Sequence, residues 1–126
     1  MAKILVVDDE SFVRLRIGNI LTKAGHEFVE ASSGEQAIKV YRQVRPDAAT
    51  LNMRMPGIDG LATLKELRQI DPSARVAIVS AQGRQENIME AFKSGATDFV
   101  VKPFKEAQLL AAVDKLLGKL DSGPQA

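Results

Sequence analysis

The sequence predicts an α/β fold of the (βα)5 type, a doubly wound five-stranded parallel sheet with helices on both faces. Short apolar runs alternate five times with segments whose apolar residues recur at helical spacing. The runs are apolar at consecutive positions, which is typical of parallel strands buried on both faces. The 126 residues fit one domain, because single domains commonly hold about 100–150 residues.

The first strand is predicted at residues 3–7, where KILVV is a continuous apolar run. A helix follows, and Gly25 is suited to end it because glycine readily adopts the left-handed backbone of a helix C-terminus. The apolar face of this helix is predicted to hold Val13, Ile17, Ile20, Leu21 and Ala24. His26 is predicted to be a surface turn residue, at the opposite end of the sheet from the acidic residues that follow the first strand.

The second strand is predicted at residues 27–31, with the sequence EFVEA. Ser32 and Glu35 have the spacing of a capping box, which predicts the start of a helix that Pro46 ends. The buried face of this helix is predicted to hold Ala37, Ile38, Tyr41 and Val44. DAATLN at 47–52 predicts a third strand on weaker grounds, because alanine is a poor strand former.

The loop MRMPGIDG at 53–60 leads to a third helix, for which Asp59 is a suitable N-cap. Its buried face is predicted to hold Leu61, Leu64 and Leu67. RVAIVS at 75–80 predicts the fourth strand. A helix at 85–94, ended by Gly95, is predicted to bury Ile88, Ala91 and Phe92.

TDFVV at 97–101 predicts the fifth strand, which Lys102 and Pro103 break. The last helix is predicted to be lined by Leu109, Val113, Leu116, Leu117 and Leu120. One domain is therefore expected at residues 1–120, and residues 121–126 are expected to be a disordered tail or a linker.

Composition excludes several classes of function. The 17 basic and 16 acidic residues leave a formal charge of +1, which does not support a direct nucleic-acid surface. The absence of cysteine excludes disulfides, thiolate metal sites and cysteine catalysis. No apolar run has the length of a secretory signal or a membrane span. A cytoplasmic location away from the membrane is therefore expected.

Residues that could bind a metal or a phosphoryl group end the first, third, fourth and fifth predicted strands. They are Asp8, Asp9 and Glu10 after the first strand, Asn52 after the third, Ser80 after the fourth and Lys102 after the fifth. The carboxyl ends of parallel strands share one edge of the sheet, where such folds bind ligands. Adjacent carboxylates favour a hard divalent cation, whereas a hydroxyl and an ammonium suit phosphoryl oxygens. The pattern therefore predicts a magnesium-assisted phosphoryl site.

Four motifs in this order resemble the receiver domains of two-component response regulators. They are VVDDE, LNMRMPGIDG, the serine of IVSAQ, and FVVKPF. The resemblance covers about residues 3–117, and SGATDFVVKPF is most similar to the stand-alone receivers typified by the chemotaxis regulator. It implies the flavodoxin-like strand order 2-1-3-4-5.

The resemblance also implies roles for individual residues. Asp8 and Asp9 match the acidic pair that holds Mg²⁺, with Asp9 the more direct ligand, and Arg54 matches the position whose backbone carbonyl ligates the metal. An alternative is that the Arg54 side chain bends toward the two acids and supplies part of the metal's charge. The backbone-carbonyl role and the side-chain role both place Arg54 at the pocket.

Three more residues match the receiver machinery that responds to phosphorylation. Ser80 matches the hydroxyl residue that binds the phosphoryl group, and Phe99 matches the aromatic residue that switches with it. Lys102 matches the lysine that pairs with a phosphoryl oxygen, and its bond to Pro103 is cis in the family. In the unphosphorylated state, Lys102 is expected to pair with Asp8 or Asp9.

The departure from the family is Asn52, which occupies the position of the phosphoacceptor aspartate. An amide is a poor nucleophile and forms no acyl phosphate. Two explanations remain open: an engineered substitution that locks the unphosphorylated state, or a natural pseudo-receiver that works without phosphate. In both, Asn52 supplies a neutral oxygen instead of a carboxylate, so Mg²⁺ binding should be weakened.

The expected function is a signalling module and not an enzyme in its own right. The family's partners are a histidine kinase or phosphotransfer protein and a downstream protein that binds the face formed by the fourth helix, fifth strand and fifth helix. An aspartyl phosphohydrolase is excluded, because VVDDE lacks the aspartate–x–aspartate spacing. A receiver cut from a longer DNA-binding regulator remains open.

Overall fold

The computed structural model of the protein describes residues 2–118, where five strands alternate with five helices. The strands are β1 (Lys3–Val7), β2 (Glu27–Ala31), β3 (Ala48–Leu51), β4 (Val76–Ser80) and β5 (Asp98–Val101). The helices are α1 (Ser11–Lys23), α2 (Gly34–Val44), α3 (Gly60–Ile70), α4 (Gln85–Lys93) and α5 (Glu106–Leu116). Leu120 and the tail at 121–126 lie outside the described residues.

The strands form one parallel sheet in the order β2-β1-β3-β4-β5, which confirms the predicted fold class and strand order. Val7 at the end of β1 pairs with Ala31 of β2 on one side and with Leu51 of β3 on the other. The first crossover therefore takes the chain from β1 to β2 on one side of β1. The second crossover takes it from β2 to β3 on the other side of β1. A ligand site is expected beside β1 and β3, where the direction reverses.

The sheet has an apolar core on each face. One core contains α1 and α5, and the other contains α2, α3 and α4. β3 is buried at all four positions, including Ala48 and Ala49, because it lies between β1 and β4 in the centre of the sheet. Position in the sheet thus outweighs the low strand propensity of alanine.

Helix α2 begins one residue later than its predicted cap. Ser33, and not Ser32, is the N-cap, and its hydroxyl oxygen accepts a hydrogen bond from the Gln36 backbone at 3.1 Å. Gln36 Oε1 accepts from the Ser32 backbone N–H at 2.6 Å. Both Ser32 with Glu35 and Ser33 with Gln36 have the three-residue spacing of a capping box. In the structure, the second pair is the one at the start of the helix. Asp59 caps α3 as predicted.

The prediction that Phe92 is buried is wrong, since it is 44% exposed. In α4 it is Ala91 that faces the core. The next residue of a helix points about 100° further round the axis. Phe92 therefore lies on the solvent side, and Ile88 is only partly buried.

His26 is buried, which corrects its prediction as a surface turn residue. Its ring Nδ1 accepts a hydrogen bond from the Ala2 backbone N–H at 3.2 Å. The His26 backbone N–H donates to the Leu21 carbonyl. The residue before β2 lies against the start of β1, because the two strands are paired from Lys3 and Glu27 onward. Among the described residues, no helix is long and apolar enough to cross a membrane.

A polar contact ties α2 to the end of α3. The Tyr41 hydroxyl donates to Asp71 Oδ2 at 2.7 Å, and Arg45 lies 3.8 Å from the same oxygen. Burial, followed by the hydrogen bond to Asp71, raises the pKa of Tyr41. The hydrogen bond from Tyr41 lowers the pKa of Asp71, with help from the Ser73 backbone N–H. Both shifts favour the pair with a protonated tyrosine and an ionised aspartate.

Tyr41→Phe is predicted to lower the free energy of unfolding near neutral pH by about 1 kcal/mol, the usual net contribution of one hydrogen bond. Asp71 has a lowered pKa in the folded state, so its contribution is present above its ordinary pKa and is lost as pH falls through the lowered value. The variant should therefore lose less stability on acidification. Urea unfolding at several acidic pH values measures this, and an unchanged pH dependence would contradict the assignment.

Candidate functional site

The carboxyl ends of β1, β3, β4 and β5 bring the predicted site residues to one edge of the sheet. Direct contacts link them in two groups. Lys102 Nζ lies 2.8 Å from Asp8 Oδ2, and the Lys102 backbone N–H donates to the Ser80 carbonyl at 2.9 Å. Asn52 Nδ2 donates to Asp9 Oδ1 at 3.2 Å. Residues far apart in sequence therefore form one polar pocket.

Asp8 is the buried acid of the pocket, with 1% of its surface exposed. Its Oδ2 accepts from the Lys102 ammonium, and its Oδ1 accepts from the Glu10 backbone N–H at 3.0 Å. Burying a carboxylate requires a counter-charge and hydrogen-bond donors, and the pocket supplies both. The expectation that Lys102 pairs with the acids is confirmed, with Asp8 as the partner.

Asn52 connects the loop after β1 with the loop after β3. Its backbone N–H donates to the Val7 carbonyl at 3.0 Å, which holds the residue in line with the end of β1. Its side-chain nitrogen donates to Asp9 Oδ1 and to the Arg54 backbone carbonyl at 2.9 Å. Asn52 is buried, whereas Asp9 is exposed. Both amide hydrogens therefore have acceptors that belong to the expected metal site.

Gly60 supports the backbone of Asn52, a role that the sequence analysis missed. A Cβ at this position would lie 2.1 Å from the Asn52 carbonyl oxygen and 2.7 Å from Met53 Cα. The Gly60 N–H donates to the Met53 carbonyl at 2.7 Å. The start of α3 thus touches the backbone that carries the pocket. The signal in the sequence was a glycine, a poor helix former, directly after the N-cap Asp59.

Arg14 is a second residue that the sequence analysis missed. Its Nη1 donates to the Asp8 backbone carbonyl at 2.7 Å, and its Nε pairs with Glu30 at 2.8 Å. The helix after the acidic pair therefore holds the backbone of that pair in place. An arginine in the first turn of the helix that follows the two acids was the available signal, although such residues are more often solvated.

Ser80 and Phe99 lie on neighbouring strands. Ser80 is buried, and its hydroxyl oxygen accepts a hydrogen bond from the Gln82 backbone N–H at 3.0 Å. Phe99 is partly buried and packs against the core of α2, α3 and α4. Ser80 therefore lies at the pocket end of β4, whereas Phe99 lies within β5 and packs against the core. A movement of Ser80 would also disturb the Lys102 backbone, through the hydrogen bond to the Ser80 carbonyl.

The alternative in which the Arg54 side chain replaces metal charge is wrong. Arg54 is exposed, and in the described chain its guanidinium forms no ion pair with Asp8 or Asp9. The loop turns its backbone carbonyl toward Asn52 instead, so its side chain points to solvent. The peptide bond between Lys102 and Pro103 is cis, as the resemblance implies.

The oxygen atoms in this pocket are of the types that bind Mg²⁺. Asp9 Oδ1 and the Arg54 carbonyl converge on a single nitrogen of Asn52, within 3.2 and 2.9 Å. Carboxylate and carbonyl oxygens are the ligands that Mg²⁺ prefers, often with several waters retained. Within residues 2–118, however, no three acidic, histidine or cysteine side chains cluster as metal ligands. The donor types fit the ion, and the charge available to hold it is low.

Comparison with known proteins agrees with this geometry. The family model described as the response regulator receiver domain matches residues 4–114. The chain belongs to this receiver family. As a receiver, it is a two-component signalling module, and receivers of this type generally bind Mg²⁺ and interact with histidine kinases or phosphotransfer proteins.

Similar proteins include chemotaxis proteins of nearly the same length as this chain. The receiver is 45% identical over 116 residues to the chemotaxis protein CheY of Bacillus subtilis, covering 91% of this chain and 97% of that protein. It is 40% identical over 115 residues to CheY of Thermotoga maritima, covering 90% and 96%. A solved CheX–CheY–BeF3–Mg²⁺ complex from Borrelia burgdorferi contains a chain with a TM-score of 0.87 and 32% identity, covering 90% of this chain and 87% of that one.

Lys102→Met is predicted to lower the stability of the receiver by about 2 kcal/mol at neutral pH, because Asp8 would be buried without its partner. The Lys102 side chain is 18% exposed, so solvent reduces the cost below that of a fully buried pair. Thermal and denaturant melts at low salt measure the loss.

The matched control is the double variant Asp8→Asn with Lys102→Met. It removes both charges, so it should be more stable than Lys102→Met alone if the ion pair carries the effect. A single variant as stable as the original chain would show that the contact contributes nothing.

Proposed function

We propose that this chain is a receiver of the kind that a kinase phosphorylates at position 52, and that Asn52 makes it unable to accept the phosphoryl group and keeps it in the unphosphorylated, inactive state. The observation that carries this proposal is Asn52, located at the end of β3 and bonded to Asp9 and the Arg54 carbonyl. An amide oxygen is a weak nucleophile, so no acyl phosphate forms there. A receiver that carries aspartate at this position would take the phosphoryl group from a kinase phosphohistidine onto its carboxylate.

The proposed roles of the other pocket residues follow from their positions. Ser80 and Lys102 would bind phosphoryl oxygens, and Lys102 would exchange its bond to Asp8 for one to phosphate. Ser80 and Phe99 would form the switch, because they lie on adjacent strands next to α4. These residues retain the types that phosphorylation requires, even though the nucleophile is absent.

Asp8, Asp9, the Arg54 carbonyl and the amide oxygen of Asn52 are the groups that would hold Mg²⁺. When bound, the ion would offset negative charge on phosphoryl oxygens. Lys102 neutralises Asp8 at 2.8 Å, and Asn52 contributes no charge. The pocket therefore offers less negative charge than one with a third carboxylate, and its affinity for Mg²⁺ should be correspondingly weaker.

The proposed surface for a downstream protein is the face formed by α4, β5 and α5. Met89, Phe92 and Val101 are large apolar residues that are exposed on this face. Exposed apolar side chains that cluster on one surface are typical of protein-binding sites. A histidine kinase or phosphotransfer protein would instead approach the polar pocket. We propose no direct contact with nucleic acid or membrane, no independent enzymatic activity, and a cytoplasmic location for a domain of residues 1–120.

The alternative function is a natural, phosphorylation-independent adaptor. Both amide hydrogens of Asn52 find acceptors, so the asparagine fits the pocket without an unsatisfied group. This favours a natural residue, whereas the intact set of Asp8, Asp9, Ser80 and Lys102 favours a receiver from which only the nucleophile was removed. In both alternatives the protein is unphosphorylated and its partner binds the face formed by α4, β5 and α5.

Asn52→Asp is predicted to create a phosphoacceptor. The new carboxylate supplies the nucleophile and a third acidic ligand for Mg²⁺, while Ser80 and Lys102 are already placed beside it. Incubation with a small acyl-phosphate donor and Mg²⁺, followed by intact-mass measurement, should show one acid-stable, base-labile phosphate on the variant. The unaltered chain should gain none.

Asn19→Asp is the matched control, because it makes the same chemical change at an exposed position of α1 and should gain no phosphate. Labelling of the unaltered chain at Ser80 would show that a neighbouring hydroxyl can substitute for the missing carboxylate. If the Asn52→Asp variant remained unlabelled, the pocket would be incompetent for reasons beyond position 52, and the natural pseudo-receiver would be the better description.

A further inference from the structure

The side chain of Asn52 contacts the oxygens that a metal ion would contact in this pocket. Its single nitrogen lies 3.2 Å from Asp9 Oδ1 and 2.9 Å from the Arg54 carbonyl oxygen. Asp9 follows β1 and Arg54 follows β3, so the amide joins two loops from different parts of the chain. A divalent cation bound to the same two oxygens would join the same loops.

The orientation of the amide is determined by its surroundings. Asp9 Oδ1 and the Arg54 carbonyl are both acceptors, so only the NH₂ end of the amide can hydrogen-bond to them. The opposite orientation would place the Asn52 oxygen against two other oxygens, one of them charged. To offer that oxygen to a cation, the amide would have to turn over and break both hydrogen bonds.

Part of the negative charge in the pocket is also neutralised without a metal. The Lys102 ammonium lies 2.8 Å from Asp8, and the Glu10 backbone N–H donates to the other oxygen of the same carboxylate. Asp9 receives the amide hydrogen of Asn52 and is otherwise exposed to water. The carboxylates therefore repel each other less than three adjacent acids would.

We propose that the Asn52 amide is a built-in substitute for the divalent cation, and that Mg²⁺ must displace it to bind. This rests on the proposed function of an unphosphorylated receiver and adds an active role for asparagine to the loss of the nucleophile. The amide keeps the loops after β1 and β3 together when Mg²⁺ is absent, and the ion joins the same loops once it has displaced the amide. The arrangement of the pocket, and the binding face that depends on it, is therefore insensitive to the concentration of Mg²⁺.

The deciding experiment compares Mg²⁺ affinity in the original chain, Asn52→Ala and Asn52→Asp by titration monitored with NMR. If the amide competes with the metal, Asn52→Ala should bind Mg²⁺ more tightly than the original chain, although it loses an oxygen ligand. Asn52→Asp should bind at least about tenfold more tightly than the original chain, because it adds a charged ligand. If asparagine is only a weak neutral ligand, Asn52→Ala should bind equally or more weakly, and that result would overturn the proposal.

A second measurement uses the original chain and does not depend on the folding of a variant at position 52. The side-chain NH₂ hydrogens of Asn52 should exchange with water more slowly than those of Gln69, which is exposed on α3. Asp9→Ala should accelerate the exchange of the Asn52 hydrogens and leave Gln69 unchanged. Equal exchange rates at Asn52 and Gln69 in the original chain would show that the amide does not hold the two loops.

The two proposals can fail separately. Phosphate on the unaltered chain would refute the proposed function without changing the exchange rates of the Asn52 amide. Weaker Mg²⁺ binding by Asn52→Ala would refute the cation substitute, and the unaltered chain would still lack a phosphoacceptor carboxylate.

Discussion

A buried carboxylate has to be neutralised, and in this protein that constraint organises the pocket. Asp8 is almost fully buried at the end of β1. Its counter-ion, Lys102, comes from the end of β5, 94 residues further along the chain. The pair joins strands that are not neighbours in the sheet. Because the buried Asp8 carboxylate accepts from both the Lys102 ammonium and the Glu10 backbone N–H, it ties the loop after β1 to the loop after β5.

The backbone at position 52 is held in place independently of the Asn52 side chain. The Asn52 backbone is held by the Val7 carbonyl and by the close approach of Gly60, and neither contact depends on the side chain. The amide then forms the hydrogen bonds that its two hydrogens allow. The amide can thus lie among acceptors with both of its hydrogens bonded, so an asparagine at this position is compatible with an ordered pocket.

The pocket and the proposed binding face share their backbone. Ser80 ends β4 and precedes the segment that leads to α4, while Phe99 and Val101 lie in β5 beside it. The Ser80 carbonyl accepts from the Lys102 N–H, so these strand ends cannot move independently. A change of charge in the pocket therefore has a short physical route to the exposed apolar residues of α4 and β5. In this chain, that route begins at a pocket that has asparagine at position 52.

Periodicity and motif order were enough to predict the five strands, the five helices and the pocket residues, because buried parallel strands and amphipathic helices have distinct spacings. They could not distinguish Ser32 from Ser33 as the cap of α2, or predict that Phe92 is exposed and His26 buried. These outcomes depend on how a helix is rotated against the sheet and on which strand ends meet.

Only the tertiary structure decided that Lys102 pairs with Asp8, that Gly60 touches the Asn52 backbone and that the Asn52 amide bridges Asp9 and Arg54. Each contact joins segments whose distance in space is determined by the fold. That distance cannot be derived from the local sequence of either segment.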